Sequence, residues 1–181
     1  SDLVVITSDN PRSENPAAII EEVKRGIVVP ADRTPPNGGG PKGTPYLAIV
    51  DRAEEWGVDT DRLGMIGFSA GAGLTMHATL NSTTMELDFI GPIYGGMGPV
   101  EVPKNAPPMF NVIATDDFLF NGQTGVIESW YKAGVPVEFH LYQNGGHGFG
   151  LGNPDRTSNR WFDAFMYWLE VNRFLTAKAG K

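Results

Sequence analysis

Three residue types that together can open a carbonyl stand at informative places in this chain. Ser69 lies in Gly67-Phe68-Ser69-Ala70-Gly71. A short apolar run, Arg62 to Ile66, precedes it, and a helix-like run, Ala72 to Leu80, follows it. Strand, G-x-S-x-G and helix in that order make a sharp elbow that lifts a serine hydroxyl off the end of a sheet. The flanking glycines suit a turn too tight for a Cβ. The start of the next helix offers free backbone N–H groups and a partial positive charge, which suit an oxyanion forming beside Ser69.

A serine needs a base and a group that orients the base. The chain has three histidines, so the candidates can be weighed by elimination. His77 falls about two turns into the helix after Ser69 and points away from the elbow. His140 lies in the alternating strand Val137-Glu138-Phe139-His140-Leu141-Tyr142 and reads as a face residue. His147 lies in Asn144-Gly145-Gly146-His147-Gly148-Phe149-Gly150, just past that strand, where a glycine loop can carry it over a serine at the same end of the sheet. The acid is expected between them in sequence. The strand run Pro107 to Thr115 ends in Asp116-Asp117, and either carboxylate can accept from the His147 ring.

These residues carry a resemblance. From Leu47 to about Leu169 the chain resembles the α/β-hydrolase superfamily, close to its acetyl-xylan-esterase and small carboxylesterase members. The pieces that carry it are Ala53 to Asp59, Arg62 to Gly71, Ala106 to Phe110, Ala133 to Glu138 and Gly145 to Gly150. The resemblance implies Ser69 as nucleophile, His147 as base and the Ala70 N–H as an oxyanion donor. It also favours Asp117 over Asp116, because an apolar residue usually stands three positions after the acid and Phe120 does so here.

The first residues read differently. Thr7-Ser8-Asp9-Asn10-Pro11-Arg12-Ser13-Glu14 resembles the C-terminal domain of Mur ligases, over about residues 1–27. That family's Asp-Asn-Pro-Arg motif implies binding of a diamino acid. The ligase chemistry also needs a P-loop, which Gly40-Pro41-Lys42-Gly43-Thr44 only echoes. Two resemblances in one chain imply a chimera: a Mur-ligase-like βαβ start over 1–29, a Pro/Gly loop over 30–44, and an esterase-like part over 45–181, within a single domain. The second oxyanion donor is then the Asn10 backbone or the Gly38–Gly40 stretch, neither fixed by a motif. The early loop carries Asp9 and Pro11 where glycines are usual. Catalysis is therefore expected to be weak and confined to short-chain esters.

The elements that must position these residues follow from periodicity. Strands are expected at 3–7, 27–29, 63–67, 87–94, 109–115 and 137–143. Helices are expected between them, including one with Val126, Ile127, Trp130 and Tyr131 closed by Gly134, and a final one with Trp161, Phe165, Trp168 and Leu169. The expected fold is α/β: a three-layer αβα, truncated α/β-hydrolase with a six-stranded parallel sheet in spatial order 2-1-3-4-5-6. The loop from Gly95 to Asn105 is expected near the active site.

Composition bounds the rest. At 181 residues, 41% of them hydrophobic, one domain with a full core is expected. The net charge of −7, from 14 basic and 21 acidic residues, argues against nucleic acid or an anionic membrane as partner. With no cysteine there is no disulfide and no thiolate metal site, and no metal or organic cofactor is implied. No signal peptide is recognisable, which favours a cytoplasmic location. The expected partner is a small-molecule ester. A homodimer is also expected, through the exposed sheet edge near 27–29. The readings weighed against an esterase are a catalytically inactive fold that binds a ligand or forms an assembly, and a diamino-acid-binding module built on Asp9 to Arg12.

Overall fold

The computed structural model describes residues 62–82 and 86–175. Four strands form one parallel sheet in the order β1-β2-β3-β4, with β1 at Gly64–Phe68, β2 at Phe89–Ile93, β3 at Met109–Ala114 and β4 at Val137–Tyr142. Helix α1 (Ala70–Asn81) joins β1 to β2, α2 (Gln123–Lys132) joins β3 to β4, and α3 (Trp161–Val171) follows a 3-10 turn at Thr157–Arg160. This is the order expected for the last four of six strands. The strands expected at 3–7 and 27–29, the 30–44 loop and the sheet edge near 27–29 all lie outside the described residues.

The two central strands are buried along their whole length, as in a sheet covered on both faces. Successive side chains therefore feed two cores. Phe89 and Ile93 of β2 and Phe110, Val112 and Ala114 of β3 join Trp161, Phe165, Trp168 and Leu169 of α3 on one face. Ile90 and Met109 join Met76 of α1 and Val126 and Trp130 of α2 on the other. The aromatics at helical spacing in α3 are thus core residues.

Element ends shift from expectation for local reasons. Strand β2 starts at Phe89 rather than residue 87, because Asp88 acts as a clasp. Its Oδ2 accepts the Leu63 N–H at 3.0 Å, and its own N–H donates to the Leu63 carbonyl at 2.7 Å. The strand stops before Tyr94, which adopts a left-handed φ of 37°. Helix α1 begins at Ala70, directly after the serine, instead of two residues later. Helix α2 closes at Gly134, whose φ of 73° favours glycine.

Candidate active site

The sequence around Ser69 dictates its geometry. A Cβ on Gly67 would stand 2.0 Å from the Gly71 carbonyl oxygen and 2.5 Å from Thr75 Oγ1, so only glycine lets strand and helix meet this closely. Ser69 itself takes φ 53° and ψ −114°, a conformation that costs on the order of 1–3 kcal/mol and must be held by its surroundings. The Ser69 N–H donates to the Ile93 carbonyl at 3.0 Å, which ties the elbow to the end of β2. The Ser69 carbonyl accepts from Ala72 N–H at 3.0 Å, and Thr75 Oγ1 donates to the Gly71 carbonyl at 3.0 Å. Ala70 is the first residue of α1, where a backbone N–H has no partner within the helix.

The candidate acid stands after β3. The Asp117 side chain is fully buried, and its Oδ1 accepts the Leu119 N–H at 2.8 Å. The turn that carries it is fixed from below. The Gln123 N–H donates to the Phe120 carbonyl at 3.1 Å, and buried Gln123 Nε2 donates to Asn111 Oδ1 of β3 at 2.9 Å.

The candidate base closes the gap. His147 Nε2 lies 2.7 Å from Ser69 Oγ, and Nδ1 lies 2.9 Å from Asp117 Oδ2 and 3.1 Å from Oδ1. An ionised carboxylate can only accept, so Nδ1 carries the proton and Nε2 is left to accept from the serine hydroxyl. The ring packs against Tyr94, edge-on at 5.5 Å between centroids, and against the exposed Phe118, tilted at 4.7 Å. Residues 78 and 30 positions apart in the chain therefore meet in one hydrogen-bonded line.

The other expected residues divide clearly. Ser69, Ala70, Asp117 and His147 come together, whereas Asn10 and the Gly38–Gly40 stretch lie outside the described residues. Asp116 does not reach His147; its Oδ1 accepts the N–H groups of Gly145 at 2.9 Å and Gly146 at 2.8 Å. Those two bonds, with the guanidinium of Arg156 at 3.6 Å, hold the Asp116 carboxyl below the usual carboxylate range, the Gly146 bond most strongly. His77 is exposed on α1 beside Asn81, and His140 pairs with Glu138 on β4 at 2.7 Å. The loop after Gly95 borders the site only at its start. A Cβ on Gly95 would meet Ala72 Cβ at 2.5 Å and Ser69 O at 3.5 Å, whereas Pro99 and Val100 pack against α2. Tyr94 and Phe118 are additions to the site that sequence reasoning misses, since nothing in their spacing shows that they pack against a loop histidine. Among the described residues no three His, Asp or Glu side chains gather as a metal site.

Comparison with known proteins decides the family. The profile of the dienelactone hydrolase family matches residues 41–176, most of the chain. The chain belongs to the dienelactone hydrolase family. Its solved structural neighbours include MGS-M1, an alpha/beta hydrolase enzyme from a Medee basin deep-sea metagenome library, at 27% identity and TM-score 0.61. That match covers 69% of this chain and 60% of that one. The acetyl ester-xyloside bifunctional hydrolase from Caldicellulosiruptor lactoaceticus matches at 20% identity and TM-score 0.61, covering 71% and 63%. Carboxylesterase Cest-2923 from Lactobacillus plantarum matches at 17% identity and TM-score 0.60, covering 74% and 66%. The chain thus spans less than two thirds of the length of these proteins, and the likeness establishes the α/β-hydrolase fold.

The family match leaves the first residues unexplained. A short N-terminal segment is 39% identical over 64 residues to a UDP-N-acetylmuramoyl-L-alanyl-D-glutamate--2,6-diaminopimelate ligase from Chlorobaculum tepidum, which is 35% of this chain and 10% of the ligase. The corresponding ligase of Leptospira borgpetersenii is 45% identical over 53 residues, 29% of this chain and 8% of its own length. The chain therefore spans about a tenth or less of these curated relatives. The two matches fit the chimera expected from sequence.

Proposed function

We propose that this dienelactone hydrolase family member is a serine hydrolase of small carboxylic esters, with short acyl groups such as acetyl favoured. The observation that carries the reading is the unbroken hydrogen-bonded line Ser69–His147–Asp117 at a strand-turn-helix elbow. In this reading His147 Nε2 takes the Ser69 proton as Oγ attacks the ester carbonyl, and Asp117 holds the imidazolium that forms. The negative charge that develops on the carbonyl oxygen faces the Ala70 N–H at the positive end of α1. His147 then returns the proton to the departing alkoxide, and water repeats the sequence on the acyl-enzyme. In this reading the second N–H comes from the Asn10 backbone or from the Gly38–Gly40 stretch, both outside the described residues.

The family description names a lactone, which is an internal ester, and the neighbours' names include an acetyl ester hydrolase and a carboxylesterase. These support the ester class and leave the alcohol part open. The experiment is turnover of p-nitrophenyl acetate by the wild-type chain and by Ser69→Ala. Activity abolished in a folded Ser69→Ala protein is the expected result. Equal turnover by both would refute the reading, and no turnover by either would favour an inactive fold.

A further inference from the structure

The proposed chemistry uses one carboxylate of the Asp116-Asp117 pair and leaves the other without a part. Asp116 is 38% exposed at its side chain, whereas Asp117 is fully buried. A surface carboxylate would ordinarily face water, yet Asp116 Oδ1 receives two backbone N–H groups, those of Gly145 and Gly146. His147 is the next residue. The segment around it has little stiffness of its own. Gly146, Gly148 and Gly150 have φ of 64°, 73° and 54°, and a Cβ at any of them would meet nothing within 4 Å. Glycines in open space do not choose one path unaided.

The far sides of the loop are pinned separately. The Asn144 N–H donates to Thr157 Oγ1 at 2.9 Å, and the Thr157 N–H donates to Asn144 Oδ1. Trp161 Nε1 donates to the Gly150 carbonyl at 2.8 Å. Neither of these touches the two residues before the histidine.

We propose that Asp116 is a positioning residue: it grips Gly145 and Gly146 and so sets where His147 stands between Ser69 and Asp117. This rests on the reading of His147 as the base. Adjacency in sequence gives the arrangement its use. Asp117 meets the histidine ring while Asp116 holds the backbone just before the histidine, so acid and base are tied to the same turn after β3. Bonds from N–H groups to a carboxylate are short and roughly twice as strong as neutral ones. The 2.7 Å contact from His147 to Ser69 leaves little slack for the loop to drift.

The test is the kinetics of p-nitrophenyl acetate hydrolysis by Asp116→Ala and Asp116→Asn, with thermal melting of each. Alanine removes the acceptor; asparagine keeps one carbonyl oxygen for both N–H groups. Asp116→Ala should lose about 10- to 100-fold in kcat, the scale of a misplacement near 1 Å, with KM and melting temperature little changed. Asp116→Asn should recover most of that, remaining less than about tenfold below wild type. Wild-type kcat in Asp116→Ala, a loss confined to KM, or asparagine as damaging as alanine would overturn the proposal. Should the alanine variant not fold, Asp116→Leu, which keeps the bulk and offers no acceptor, takes its place: a reduced kcat at unchanged KM upholds the proposal and an unchanged kcat overturns it. An active wild type with an unaffected Asp116→Ala refutes this clamp only, whereas an active Ser69→Ala refutes the esterase reading beneath it.

Discussion

Replacing Asp117 by Asn changes one atom at the buried end of the hydrogen-bonded line, and the surrounding donors dictate the outcome. Asp117 Oδ1 accepts from the Leu119 N–H at 2.8 Å, and Oδ2 faces His147 Nδ1 at 2.9 Å. An asparagine there must keep its carbonyl oxygen toward Leu119, because its NH2 cannot accept from an N–H. The NH2 then faces Nδ1. Two donors cannot share that contact, so Nδ1 gives up its proton and Nε2 becomes the protonated nitrogen facing Ser69. The base is in place but has no lone pair for the serine hydroxyl. In a serine protease the corresponding change lowers kcat by about 10,000-fold. That corresponds to about 5.4 kcal/mol of transition-state stabilisation. Asp117→Asn should therefore lose on the order of 1,000- to 10,000-fold in kcat for p-nitrophenyl acetate, with a melting temperature near wild type. Asp116→Asn, whose carboxylate faces the loop, should stay within about tenfold of wild type. A loss in Asp117→Asn below about tenfold, or an Asp116 variant more damaged than it, would refute the tautomer argument.

The same structure makes further outcomes testable. Gly67→Ala should cost stability and activity together, by at least the roughly 1–3 kcal/mol typical of overpacking, because its Cβ meets backbone at Gly71. Gly73→Ala, which meets nothing within 4 Å in α1, should instead leave activity intact and gain up to about 1 kcal/mol, read by denaturant unfolding. Across p-nitrophenyl esters from acetate to decanoate, turnover should be greatest for the shortest acyl chains and low overall; a preference for decanoate contradicts the loop argument built on Asp9 and Pro11. The lowered pKa of Asp116 means its bonds add stability above the usual carboxylate value, lost as pH falls through the lowered one. Any stability deficit of Asp116→Asn should then be small and constant at neutral pH and vanish only in strong acid, measured by melting at a series of pH values. Light scattering should show a dimer at micromolar concentration if the edge near 27–29 pairs between copies.

Much of the site was legible because its motifs act locally. Glycines two positions either side of Ser69 dictate the elbow, and a histidine among glycines just past a strand has few other uses. The apolar runs placed all four described strands, since fully buried parallel strands need continuous hydrophobic sequence. Their ends were less legible, because polar clasps decided them. Asp88 looks like part of a strand until its carboxylate is seen on Leu63, and Tyr94 until its φ is seen to turn the chain. The role of Asp116 was hidden for a similar reason. Two adjacent acids at a strand end look interchangeable, and only the path of the 144–150 loop separates the one that meets the histidine ring from the one that holds the backbone before it. The packing of His147 against Tyr94 and Phe118 depends on pairs far apart in sequence, which no local period reveals.

The central claim is that Ser69 is a nucleophile activated by His147. The most direct measurement is reaction of the whole chain with a fluorophosphonate probe, followed by mass mapping of the labelled peptide. One label per chain, on the peptide that holds Ser69 and lost in both Ser69→Ala and His147→Ala, is the predicted result. Labelling elsewhere, or labelling that survives in His147→Ala at the wild-type rate, would contradict it.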